Sequence, residues 1–217
     1  MQDQSPLPYP FIVVEGNIGA GKTSLCKKMA EDFNAQLILE QFTDNPFLPL
    51  FYKNPERYAF PVELFFMTER HKQLQDELSQ RNLFQQNIIA DYVFQKTLLF
   101  ARNNLKQEEY RLFQRLFQIL NNPFPKPDLL VFLHRSVDDL MRNISKRGRE
   151  IEKDIQPEYL RQIQQVYFDF FKTNDQFPIL IIDVEQIDFI KEEAHYKKII
   201  DCMCKPYEPG LHRLRVF

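Results

Sequence analysis

The sequence predicts an α/β fold: a five-stranded parallel sheet with helices on both faces, in one domain spanning residues 1–217. Three observations carry that prediction. Short uninterrupted apolar runs recur along the chain, as they do in strands buried on both faces. Stretches with helical spacing separate them, as crossovers between parallel strands require. The first run leads directly into a glycine-rich loop that opens a helix.

Phe11-Ile-Val-Val14, ending in Glu-Gly, reads as the first strand. Leu25, Met29 and Phe33 recur at helical spacing, so Thr23 to Phe33 is a helix. Ala35 to Leu39 reads as a second strand ending at Glu40, and Phe42 to Pro55, with prolines and aromatics, as a loop with short helical turns. Phe60 to Leu78 is helical through Leu64, Phe65, Met67, His71 and Leu74. Leu83 to Ala90 is the third strand and Val93 to Leu120 largely helix. After Pro127-Asp128, Leu129 to Leu133 forms the fourth strand, followed by a helix from Val137 to Lys146 and a charged stretch to Asp154. Pro157 to Phe171 is helical, Ile179 to Ile182 the fifth strand, and Phe189 to Cys202 the last helix. Lys205 to Phe217, with two prolines and no clear periodicity, carries no predicted element.

Composition excludes several classes. A net charge of -2 leaves no basic field for a nucleic acid polymer. No apolar run approaches the ~20 residues of a membrane span, and Met1 to Pro10 lacks the positive start of a signal peptide. Three cysteines make no disulfide framework and fit a reducing cytoplasm. The C-x-C at Cys202 and Cys204 has no partner ligands at a standard zinc spacing.

Gly16-Asn17-Ile18-Gly19-Ala20-Gly21-Lys22-Thr23 matches G-x-x-x-x-G-K-[ST] between a strand and a helix, with Ser24 following. Its glycines let backbone N–H groups converge on phosphate oxygens at a helix N-terminus. Lys22 is placed to reach the β and γ phosphates of ATP, and the Thr23 hydroxyl to ligate Mg²⁺. The fourth strand ends at His134, so the Mg²⁺ carboxylate must come from elsewhere. Arg147-Gly-Arg149, in a charged segment between two helices, suits a lid (about 146–154) of mobile cations closing over a transferred phosphoryl group. Glu40 stands at the carboxyl end of a strand, the ligand-binding edge of such sheets, where it can take a proton from an acceptor hydroxyl.

These segments, with Phe51-Tyr-Lys-Asn-Pro-Glu-Arg-Tyr-Ala-Phe60, resemble the deoxynucleoside kinase family, especially its bacterial deoxyadenosine and deoxyguanosine kinases, from Phe11 to about Ile200. The resemblance implies a P-loop kinase of nucleotide salvage, with ATP and Mg²⁺, in which Glu40 deprotonates the sugar 5′-OH. It also implies that Tyr52 and Glu152 bind the 3′-OH, Arg147 and Arg149 stabilise the phosphoryl group, Phe100 stacks on the base and Arg70 lies at its edge. Glu185 to Phe189, with Gln186, Asp188 and Phe189, resembles the loop that meets adenine through its backbone. A homodimer joined helix to helix is a further implication.

Two departures stand out. The family's acid-Arg-Ser motif is here Ala90-Asp91-Tyr92: Asp91 keeps the Mg²⁺ acid, but the arginine is lost, with Lys96 and Arg142 as possible replacements. Glu63 stands where the family has a base-reading Gln. An ionised carboxylate only accepts, which leans towards guanine's paired donors and leaves the preferred base open. A thymidylate-type monophosphate kinase and a nucleotide-binding regulatory subunit are the alternative functions. The first would need extra cations for its acceptor's phosphate, and the second would leave the intact catalytic set without a use.

Overall fold

A computed structural model describes residues 7–41, 45–79, 85–121, 124–185 and 187–215. Six parallel strands form one sheet in the order β2-β3-β1-β4-β5-β6. They are β1 (Phe11–Gly16), β2 (Gln36–Ile38), β3 (Ile88–Ala90), β4 (Leu129–His134), β5 (Pro178–Asp183) and β6 (Gly210–Arg215).

The helices are α1 (Lys22–Asp32), α2 (Leu48–Lys53), α3 (Pro55–Ser79), α4 (Lys96–Asn104), α5 (Gln107–Asn121), α6 (Val137–Arg147), α7 (Pro157–Thr173) and α8 (Glu193–Met203). Alternation along each strand sends neighbouring residues to opposite faces. Ile12 and Val14 of β1 join Leu25, Leu140 and Ile199 on the face covered by α1, α6 and α8. Val13 joins Met67, Phe113 and Tyr167 on the other face, under α3, α4, α5 and α7. Burying both faces is what required continuous apolar runs.

The sheet has six strands, not the expected five. β6 pairs with β5 from Pro178↔Gly210 to Asp183↔Arg215. As an edge strand it needs no continuous apolar run: Leu211, Arg213 and Arg215 are exposed, while Leu214 packs on the core. Charged edge residues also discourage pairing with a further chain.

Other boundaries moved for identifiable reasons. α3 begins at Pro55, ahead of the expected start at Phe60, because Pro55 suits the first turn of a helix, where no N–H is needed. β3 is only Ile88–Ala90, because Asn87 turns its amide to the carbonyls of Leu7 and Tyr9. Residues 83–84 of the expected strand lie outside the described residues. The last helix starts at Glu193, since Asp188 Oδ1 accepts from the N–H groups of Ile190 and Lys191 and turns the chain. Among the described residues no helix is long and apolar enough to cross a membrane.

Candidate active site

The carboxyl ends of β1, β2 and β3 deliver three chemistries to one place. The chain leaves β1 to one side for β2 and β3 and to the other for β4, so the ends diverge and open a crevice. The phosphate loop follows β1. Its glycines are there because the backbone must turn left-handed among close neighbours: Gly19 has φ 85°, and a Cβ there would lie 2.8 Å from the Leu140 carbonyl oxygen. Gly21 has φ 97°, and its Cβ would meet Phe189 Cζ at 2.9 Å. Asn17 is buried and donates to the Leu160 carbonyl at 2.7 Å, tying the loop to α7.

Lys22 Nζ donates to the carbonyls of Gly16 (2.9 Å) and Asn17 (3.0 Å). Burial, with Lys96 nearby, lowers its ammonium pKa to about 8. Thr23 Oγ1 donates to Asp91 Oδ2 at 2.6 Å, and Asp91 Oδ1 accepts from the Glu40 backbone N–H at 2.7 Å. One carboxylate therefore locks the ends of β2 and β3 to the start of α1.

Glu40 is held between two cations. Its Oε1 accepts from Arg70 Nε (2.8 Å) and Nη2 (2.5 Å), and its Oε2 from Lys96 Nζ (2.6 Å). Burial alone would raise its pKa, but Lys96 and Arg70 outweigh it and hold the carboxyl far below the usual range. Arg70 also donates to Thr97 Oγ1 at 2.9 Å, which fixes its plane.

The same cavity is lined by Ile18, Gly19, Tyr52, Glu63, Asp91, Phe100, Arg147, Arg149 and Glu152, so the residues expected to meet the acceptor and the lid arginines surround one space. Arg147 forks onto Glu152 (Nη2–Oε1 2.6 Å, Nε–Oε2 3.1 Å), and Arg149 Nη1 lies 3.3 Å from Glu152 Oε1. Gly148, at φ 65°, ends α6 and returns the chain to make this contact. Burial beside Glu152 and Glu63 raises the Tyr52 pKa, so its hydroxyl stays protonated. Glu63 Oε1 accepts from Asn104 Nδ2 at 2.6 Å, while its buried Oε2 has no partner among the described residues. Burial pushes its pKa up to about 7.

A neighbouring cavity on the other side of the phosphate loop is lined by Gly19, Ala20, Gly21, Ser24, Asp188 and Phe189. Gln186, expected beside them, lies outside the described residues. Arg135 joins its walls, donating to the carbonyls of Ala20 (3.3 Å) and Ile187 (2.8 Å).

The expected pool of replacement cations is resolved by position. Lys96 reaches Glu40, whereas Arg142 is exposed and pairs with Asp139. Tyr92 is buried, and its hydroxyl donates to Gln73 Oε1 at 3.0 Å, while Gln73 Nε2 donates to the Leu39 carbonyl at 2.8 Å. Sequence reasoning missed Tyr159, whose ring packs against Phe51 and Tyr52, and also Phe66, Asn104 and Arg135. Each sits on a helix or strand end whose local pattern carries no chemical motif.

A phosphate loop, a carboxylate at a strand end and a paired-arginine lid around one cavity define a P-loop phosphotransferase with an alcohol acceptor. The deoxynucleoside kinase family model matches residues 12–206, and the chain belongs to that family. It is an ATP-dependent deoxynucleoside kinase. It is 33% identical over 194 residues to the deoxyguanosine kinase of Bacillus subtilis (strain 168), covering 88% of this chain and 94% of that one. It is 28% identical over 203 residues to the deoxyadenosine kinase of Lactobacillus acidophilus, covering 87% and 92%. The fold is also that of deoxyadenosine kinase from M. mycoides solved with bound dATP: TM-score 0.76, 24% identity, 90% of this chain and 100% of that chain.

Proposed function

We propose that the protein transfers the γ-phosphoryl group of ATP to the 5′-OH of a purine deoxynucleoside, with deoxyguanosine preferred, in nucleotide salvage. The observation that carries the catalytic reading is the Asp91 bridge. It sets the candidate base Glu40 at a fixed place relative to Thr23 and the phosphate loop. In this reading Glu40 takes the hydroxyl proton, Lys22 and the loop N–H groups hold the donor phosphates, and Tyr52 and Glu152 bind the 3′-OH. Arg147 and Arg149 turn from Glu152 to the transferred group as the lid closes, which excludes water.

Thr23 and Asp91 offer a hydroxyl and a carboxylate 2.6 Å apart, hard oxygen donors of the kind Mg²⁺ accepts while keeping several waters. Mg²⁺ bound there would neutralise charge on the β and γ oxygens. The lid is residues 146–154 of a single kinase domain that works as a homodimer in the cytoplasm.

Support for guanine comes from Glu63. The residue lines the cavity that holds Phe100 and Arg70, its Oε2 has no partner among the described residues, and when ionised the carboxylate accepts from guanine's N1–H and N2-amine. The 33% identical relative is itself named a deoxyguanosine kinase.

The test is ADP release with deoxyguanosine, deoxyadenosine, deoxycytidine, thymidine and their 5′-monophosphates as acceptors. We expect turnover with deoxynucleosides and the highest kcat/KM with deoxyguanosine. Turnover confined to monophosphates would overturn the 5′-OH reading. Glu40→Gln should lower kcat by about 10²–10⁴-fold while ATP still binds; unchanged turnover would remove Glu40 from the base role.

A further inference from the structure

Counting lone pairs on Glu40 identifies which of its oxygens can act. A carboxylate oxygen accepts about two hydrogen bonds. Oε1 already accepts two, both from Arg70. Oε2 accepts one, from Lys96, and so retains the open site. An acceptor hydroxyl that donates to Glu40 therefore arrives at Oε2 and shares that oxygen with the Lys96 ammonium.

Lys96 is suited to this position. It opens α4, is only 4% exposed, and lines the cavity that holds Lys22, Thr23 and Asp91. It has three N–H donors, and among the described residues only Glu40 accepts from it. The Phe100 ring lies 5.6 Å from its ammonium. A buried ammonium with donors to spare beside a reacting oxygen is a ready partner for charge that develops there.

We propose that Lys96 is a positioning residue of the transfer reaction: through its contact with Oε2 it fixes the Glu40 carboxylate, presents that oxygen to the 5′-OH, and turns to the reacting oxygens as Glu40 takes the proton. The step balances without further reactants. The hydroxyl O–H bond breaks and its proton goes to Oε2. The hydroxyl oxygen forms a bond to the γ-phosphorus, and the β–γ bridging bond breaks with its electron pair leaving on ADP. Glu40 becomes neutral, its attraction for Lys96 falls, and the ammonium is released within reach of the new phosphate ester. The proposal rests on the kinase reading of this site.

Other groups also act on Glu40. Lys22 and Arg70 favour its ionised form with Lys96, while Glu63 and Asp91 line the same cavity and Glu15 lies buried nearby. Tyr52 and Tyr92 stay protonated beside it.

The experiment measures kcat and deoxynucleoside KM near neutral pH for wild type, Lys96→Met, Lys96→Gln and Lys96→Arg. Thermal melts with and without ATP establish that each variant is folded. The two neutral variants should lose about 10²–10³-fold in kcat with KM changed far less. Lys96→Arg should recover most of kcat. Neutral variants within threefold of wild type would overturn the proposal. So would a loss of kcat that arginine does not repair, or one matched by an equally large change in KM. Should Lys96→Met not fold, Lys96→Gln carries the same two readouts. If wild type phosphorylates no deoxynucleoside, the reading of the site falls; wild-type turnover with silent Lys96 variants overturns the Lys96 role alone.

Discussion

Single side chains in this site are set by competition between burial and charge, and Glu40 and Glu63 show the two outcomes. Both are carboxylates in the same cavity. Glu40 meets two cations head-on and stays ionised, whereas Glu63 meets the neutral Asn104 amide and is pushed up to about 7. The sign of the consequence for stability follows from the folded pKa lying above the ordinary value of 4.5. Below that value both states are protonated and Glu63 costs nothing. Between it and about 7 the unfolded chain is ionised while the folded one is not, so stability falls as pH rises, and the full cost is present above. Glu63→Gln keeps the Asn104 contact without the charge. Its melting temperature should exceed wild type by several degrees at pH 8, a difference on the order of 3 kcal/mol at most, and the gap should close by pH 5. A gap independent of pH would show that Glu63 is ionised in the folded protein. At this scale Lys22, Thr23, Arg147 and Arg149 were readable because each belongs to a motif with fixed spacing, and Glu40 because it follows a strand at the ligand-binding edge of the sheet. Lys96 was legible only as one of two candidates, and Tyr159 not at all, since a tyrosine on the exposed-looking start of a helix resembles any other.

Elements were legible in proportion to how completely they are buried. β1, β4 and β5 are sandwiched between helices and show it as continuous apolar runs. β6 is bounded by solvent on one edge, and its alternating partly buried pattern among arginines reads locally as a tail. Its contribution is measurable. Deleting 210–217 removes the whole β5–β6 ladder and leaves β5, an apolar strand, as an open edge. Melting temperature should drop by about 5–10 °C, as for a loss of a few kcal/mol, with faster aggregation on heating. The KM values for ATP and deoxynucleoside should hold, because β6 lines neither cavity. Unchanged melting would mean that the ladder adds nothing to the stability of the sheet.

The molecule as a whole couples its two cavities through shared parts. The phosphate loop forms a wall of both, and Arg147 lines both. Family membership also bears on assembly. Equilibrium sedimentation should return twice the 26.1 kDa chain mass at micromolar concentration, and a single 26.1 kDa species would remove the homodimer. The fold class, the nucleotide loop, the base candidate and the lid followed from the sequence because each is a local pattern: a run, a spacing, or a turn that only glycine can make. Tertiary structure alone decided the sixth strand, the partners of the charges in the site, and which cation stands beside Glu40. Those depend on which strand ends the sheet order brings within about 3 Å, and spacing along the chain does not encode that distance. Asp91 and Lys96 are five residues apart in sequence. Only the folded chain places one at the Glu40 backbone and the other at its carboxylate.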